Sequence, residues 1–208
     1  MKKVIFIVIL LFQMQESFAQ KQMSKVFDGK TKIVFLGLDF TQAKFIGEEG
    51  FKDPYKLKTY YLSNWNALLE EEYAKYNLPL NSLKARHYET NTSDLMVLND
   101  EIEDIEDAII NGSHYIDDKD VQKSVRKYKL SDNKGIGVSF VVESFNSSLE
   151  KAIIWVTFVN MSNGTLLYTE RMEGKAEGFG LRNFWAGSIY DIIEQIRLSR
   201  YKVWKRKF

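Results

Sequence analysis

Apolar residues run unbroken from Val4 to Phe12, and β-branched, aromatic and other apolar side chains dominate Ile33 to Phe40. The second run is too short and too apolar for a surface helix. It predicts a strand buried on both faces that continues irregularly toward Ile46. Asp53-Pro54 marks a helix start, an N-cap acceptor followed by the residue best tolerated at the first helical position. Leu57, Tyr61, Trp65, Leu68, Tyr73 and Tyr76 then recur at spacings of three to five and predict one inward stripe. Glu70 to Glu72 mark the wet side, and the helix is expected to end near Asn77, before Pro79. From Leu80 to Asp117 the pattern is weak and yields a single short strand, Leu95 to Leu98. Asp118 to Tyr128 reads as a helix whose acidic first turn and basic end complement its dipole.

The carboxyl-terminal third is more regular. Gly135 to Phe145, Lys151 to Asn160 and Thr165 to Glu173 are β-rich runs separated by Asn146-Ser147-Ser148 and by Asn163-Gly164, the latter a strong hairpin signal. They predict an antiparallel meander. Ile136, Val138, Phe140 and Val142 share a face, as do Ile154, Val156 and Phe158, with Ile153, Trp155 and Val159 opposite. Beyond the glycine-rich stretch Gly174 to Gly180, Trp185, Ile189, Ile192, Ile193 and Ile196 define an amphipathic closing helix. Together the elements predict an α+β fold: a mixed, mostly antiparallel sheet of about five strands, with helices packed mainly on one face. No fixed-period repeat or linker divides the chain, so residues 20–208 are expected to form one domain.

Lys2 and Lys3 ahead of Val4 to Phe12, with Ser17 and Ala19 before Gln20, have the order of a secretory signal peptide over residues 1–19. The apolar run, about nine residues, is well short of the roughly 20 that span a bilayer. The 208 residues carry 29 basic and 28 acidic side chains; without Lys2, Lys3 and Glu16, 27 of each remain. That balance argues against an electrostatically driven nucleic-acid binder and against a charge-rich disordered chain. The absence of cysteine removes thiol catalysis, disulfides, cysteine zinc sites and a lipoprotein anchor. An exported chain without cysteine fits a bacterial envelope, periplasmic or secreted. Asn91, Asn111, Asn146, Asn160 and Asn163 each open an Asn-x-Ser/Thr match and are read mainly as turn residues.

The stretch Ile154 to Phe158, the turn and strand Asn163-Gly164-Thr165-Leu166-Leu167, Thr169-Glu170-Arg171, Gly174-Lys175-Ala176, Gly178-Phe179-Gly180 and Arg182-Asn183-Phe184-Trp185-Ala186 resemble a family of uncharacterised secreted proteins from Bacteroidetes. Leu36 to Phe40 and Trp65-Asn66 resemble that family's amino-terminal half. The resemblance implies an envelope location and no particular reaction. The order of strand, glycine-containing turn, strand and closing helix is also similar in topology to the TolB amino-terminal domain and to curli-secretion lipoproteins. This similarity implies an assembly or interaction role, although the lipoprotein cysteine is missing here.

The residues themselves offer few chemical constellations. Gly174, Gly178 and Gly180 before a helix suggest either an anion cradle or, more simply, a tight reversal, with Arg182 placed to bind a carboxylate or phosphate. The acidic run Asp100 to Asp107 lacks the alternating order of a calcium loop and reads as a solvated face. His114 with Asp117, Asp118 and Asp120 is the one His–carboxylate cluster, and helix capping accounts for its acids. His87 is the other histidine. Asp39 reads as the one acid inside an apolar strand, where it either sits at an exposed end or meets a buried donor. The tail Tyr201 to Phe208 interleaves aromatics with Lys202, Lys205, Arg206 and Lys207. It is expected either to add an edge strand or to present Trp204, Lys205 and Arg206 to an anionic partner or lipid headgroup, the alternative being that Tyr201 and Trp204 dock on the core. Two function classes follow: a non-catalytic envelope interaction or assembly module, or an exported hydrolase or small-ligand binder with a site near residues 80–120 drawing on Asp39, His87 and His114. No cofactor, metal, nucleic acid or later membrane span is implied.

Overall fold

A computed structural model describes residues 19–130 and 134–208, so the leader expected over 1–19 lies, but for Ala19, outside the described residues. Seven strands form one sheet: β1 Ile33–Asp39, β2 Lys44–Ile46, β3 Tyr88–Thr90, β4 Ile109–Ile110, β5 Ile136–Asn146, β6 Lys151–Asn160 and β7 Thr165–Lys175. β1 and β2 lie end to end along one side of β5, both parallel to it, β1 opposite Ile136 to Val141 and β2 opposite Ser144 to Asn146. β3 and β4 continue the sheet outward from β1 and β2, again in parallel. On the other side of β5 run the long antiparallel strands β6 and β7. The seven strands therefore fill five positions across an α+β sheet. The irregular continuation expected between Phe40 and Ile46 is the junction of β1 with β2.

Alternation along the strands sorts the core into two unequal layers. Ile33, Phe35 and Leu38 of β1, Ile136 to Val142 at alternate positions of β5, and Ile154, Val156 and Phe158 of β6 line the larger one. Against it packs a helical run made of the turn Pro54–Lys56, a π-helical segment Leu57–Tyr61 and helix α1, Leu62–Glu71. The Asp53 side chain accepts from Lys56 N, the capping expected of Asp-Pro. The same layer is closed by α4, Leu181–Gln195, which continues through a π-helical segment Ile196–Arg200 into α5, Tyr201–Lys207. Phe145 stacks on Trp185 with ring centres 4.5 Å apart, and Trp65 meets Phe145 edge-on at 5.2 Å. The opposite face is thinner. Helix α2, Ser93–Asp100, brings Leu95 and Leu98 to Val34 and Leu36, and helix α3, Asp118–Val125, brings Val121 to Trp155.

Close approach of helix and sheet sets two glycine positions. At Gly37, φ is +95° and a Cβ would lie 2.3 Å from Asn66 Oδ1; this is where β1 slips register against β5. At Gly174 a Cβ would lie 2.2 Å from the Ser188 carbonyl oxygen on α4. Gly174 thus belongs to β7, which runs on to Lys175, and the chain reversal is left to Gly178 and Gly180, both at positive φ.

Three local expectations are corrected. Leu95 to Leu98 is part of helix α2: Leu95 and Leu98, three apart, are buried while Val97 between them is 54% exposed, a helical alternation. Tyr73 leaves the inward stripe because the helix breaks at Glu72, and the short helix Tyr73–Tyr76 restarts in a new register that buries Tyr76. The tail is a helix, not an edge strand: Tyr201 and Trp204, three apart, both turn inward. Four of the five Asn-x-Ser/Thr asparagines accept, through Oδ1, from a backbone N–H two or three residues on, at Ser93, Leu149, Ser162 and Thr165, as turn residues do. Asn111 instead accepts from Glu48 N.

Candidate functional site

Three carboxylates are withdrawn from solvent by different means. Asp39 ends β1 and is fully buried. Its Oδ1 accepts from Thr41 N at 2.8 Å and Thr41 Oγ1 at 2.6 Å, and its Oδ2 accepts from the Tyr128 hydroxyl at 2.9 Å. Tyr128 also reaches Ser139 Oγ at 3.2 Å on β5. Burial raises the Asp39 carboxyl above the usual aspartate range, and the bonds from Thr41 and Tyr128 only partly offset it. Burial and the neighbouring Asp39 charge push the Tyr128 phenol well up. Around this group, Asn66 and Asn99 satisfy the main chain of Leu38 and Phe40, so the polar belt holds the junction of β1 and β2 in place.

Glu143 sits at the register slip of β5 and is also fully buried. It takes a bidentate pair from Arg171, Nε at 2.9 Å and the terminal nitrogen at 2.7 Å, and the Trp155 indole N–H at 2.9 Å. Glu170 projects from β7 toward α5. It accepts from Trp204 Nε1 at 2.6 Å and the Tyr168 hydroxyl at 2.7 Å, and it pairs with Arg200. Asp39 is therefore not the one acid inside an apolar strand: Glu143, within Val141-Val142-Glu143-Ser144-Phe145, carries the same signal in the sequence and is as fully buried. Glu170 carried none, because it occupies a polar position of an alternating strand.

The histidines do not join Asp39 in one site. His87 precedes β3 beside Ile33, at the far end of β1 from Asp39, six residues or roughly 20 Å away. His114 is nearer, with Nε2 3.0 Å from the Gln42 carbonyl oxygen, so it holds the loop after β1. Asp117 and Asp120 form a capping box at the start of α3. Among the described residues, no group of three or more His, Asp or Glu stands close enough to hold a metal ion. Four surface concavities of about 260, 290, 510 and 590 Å³ have linings that exclude Asp39, Glu143, Glu170 and His114. Asp39, Glu143 and Glu170 each accept three bonds from protein donors, an arrangement that stiffens a fold.

Trp204 is fully buried against Phe158 and Tyr168, so the indole expected to face a partner instead anchors α5. Lys205 and Arg206 beside it are exposed. Arg182, half-buried at the start of α4, lies 3.5 Å from Glu71, and its carbonyl accepts from Trp65 Nε1.

The tail is one part of a larger basic end. Phe27 packs edge-on against Tyr201, and Lys84 and Lys205 stand over the Tyr201 ring at 5.1 and 6.0 Å, which draws three separate segments together. Lys25 and Lys30 come from the first segment, Lys84 and Arg86 from the second, Lys202, Lys205, Arg206 and Lys207 from α5. Among the described residues none of these eight forms an ion pair, whereas the carboxylates nearby are engaged: Asp28 caps its own turn, Glu89 pairs with Lys32, Glu194 with Arg197 and Glu170 with Arg200. At the other end of the parallel strands, roughly 35 Å along β5, Glu48, Glu49 and the acidic residues around Glu106 and Asp107 stand with Lys52, which pairs with Glu49, and Lys44, which donates to the Asp107 carbonyl oxygen. Of these two ends, the surplus of unpaired cations among the described residues is confined to the first.

Compared with protein-family models, with curated proteins and with solved structures, the chain has no match in any of the three.

Proposed function

We propose that this protein is an exported, non-catalytic module of a bacterial envelope that docks on an anionic partner through its basic end. The observation that carries the reading is the surplus of unpaired cations there, set against carboxylates that are already bonded. Charge segregated in this way steers an oppositely charged partner and fixes orientation. The engagement of Asp39, Glu143 and Glu170 by three protein donors each supports a binding role over catalysis. The leader-like residues 1–19 and the resemblance to secreted Bacteroidetes proteins support export, and among the described residues no helix is long and apolar enough to cross a membrane.

Two measurements test the reading. Intact-mass analysis of the protein recovered from the envelope fraction should show a chain beginning at Gln20; a product retaining residues 1–19 defeats the export half. Immobilised protein should capture material from envelope extract that the quadruple variant Lys84→Glu, Lys202→Glu, Lys205→Glu, Arg206→Glu does not capture, with both proteins melting at the same temperature. Equal capture by the two defeats the docking half.

A further inference from the structure

We infer that the partner of the basic end is an anionic phospholipid surface. The inference rests on the docking reading above and adds an apolar component to it. The π-helical segments Leu78–Ser82 and Ile196–Arg200 pack against each other, and Ser82 Oγ also donates to the Ile193 carbonyl oxygen near the end of α4 at 2.9 Å. Each turns one leucine outward: Leu80 is 42% exposed and Leu198 63%. Leu198, Lys202 and Lys205 follow at spacings of four and three along one continuous helical run, so they share its outer face while Ile196, Tyr201 and Trp204 hold the inner one. Lys84 follows Leu80 by four residues, and its Nζ reaches over Tyr201.

Exposed leucines bordered by unpaired cations are ill suited to a soluble polyanion, which offers charge and nothing for the apolar side chains. A bilayer surface offers both, phosphate at the headgroups and hydrocarbon just beneath. The long side chains of Lys84, Lys202 and Lys205 can keep their charges at the phosphate plane while Leu80 and Leu198 dip below it. An open concavity of about 590 Å³ lined by Lys30, Lys32, Arg86, His87 and Tyr88 at the same end gives a headgroup phosphate a place to sit. Fixing Trp204 and Tyr201 in the core keeps this face rigid, so little side-chain ordering opposes binding.

The test is vesicle co-sedimentation of the purified protein with phosphatidylcholine alone and with phosphatidylcholine containing phosphatidylglycerol. Binding is expected only to the anionic vesicles and is expected to weaken with salt. Each lysine reversed to Glu should weaken it about fivefold or more, and Leu198→Ser should weaken it about tenfold with every charge retained. Equal binding to both vesicles, or none to either, overturns the lipid assignment, and so does an unchanged affinity in Leu198→Ser. If vesicles are ignored while charge-dependent capture from envelope extract persists, the lipid assignment fails and the docking reading stands. If both are lost, the docking reading fails with it.

Discussion

Replacing Asp39 with Asn should shift stability in the variant's favour as pH rises, because the variant carries no carboxylate to ionise in a buried site. The carboxylate is fully buried and accepts three bonds, two from Thr41 and one from Tyr128, yet burial still leaves its proton affinity raised. In the unfolded chain an aspartate titrates near 3.9. Between that value and the raised folded value the native state holds a proton that the unfolded state has lost. Stability from this group is thus greatest below the unfolded pKa and falls as pH rises through the folded one, at about 1.4 kcal/mol for each unit of the shift. Asparagine keeps Oδ1 for both Thr41 donors. Its amide nitrogen, in place of Oδ2, donates to the Tyr128 oxygen, whose hydroxyl then turns wholly to Ser139 Oγ, already 3.2 Å away. Three bonds are kept and no charge is buried, while the second amide N–H of the asparagine is left without a partner, a cost that does not change with pH. Urea unfolding of both proteins from pH 3 to pH 8, followed by tryptophan fluorescence, should give a difference between the midpoints that moves in the variant's favour as pH rises from the acid to the alkaline end. Taking the difference between the proteins cancels titrations they share. A difference that stays constant with pH, or a wild type that gains on the variant as pH rises, would refute the argument. Asp39→Ala, which strands the Thr41 amide, should instead lose about 2–4 kcal/mol at the acid end, a loss that narrows as pH rises.

Arg171→Ala removes the bidentate partner of a buried carboxylate and should cost about 3–5 kcal/mol in chemical denaturation; a loss under 1 kcal/mol would mean Glu143 finds water or a proton. Gly174→Ala places a Cβ 2.2 Å from a helix carbonyl and should lower the melting temperature by the equivalent of about 1–3 kcal/mol, whereas Gly112→Ala, which meets nothing within 4 Å, should be neutral within about 0.5 kcal/mol. Trp204→Phe keeps the buried ring but loses the indole bond to Glu170 and should cost about 1–2 kcal/mol; Trp204→Ala should cost about 3–5 kcal/mol. If the two tryptophan variants unfold alike, the indole bond is not what holds α5.

Where neighbours in sequence decide the structure, the sequence was readable. The meander followed from alternating apolar residues and the Asn163-Gly164 turn, and α4 from the spacing of Trp185, Ile189, Ile192, Ile193 and Ile196, because each pattern carries its own period. β3 and β4 carried none. They are three and two residues long, half-buried, and extended only because β1 and β2 offer unpaired main-chain groups beside them. Leu95 to Leu98 misled for the same reason: four residues of mixed polarity do not distinguish a period of two from one of 3.6.

Site chemistry divides along a similar line. Asp39 announced itself because the cost of burying a charge is visible wherever an acid interrupts an apolar run, and Glu143 was open to the same argument. Glu170 was not, since its partners Trp204 and Arg200 lie some 30 residues away and meet it only once α5 has folded back over β7. The tail showed its cations but not their company. Lys30, Lys84 and Arg86 join Lys202 to Lys207 because β1 and β3 begin at the same edge and Phe27 rests on Tyr201, facts of topology that net charge conceals. A near-equal count of acids and bases constrains only the sum; the fold draws cations from three segments to one end of β5 and gives that end a local surplus.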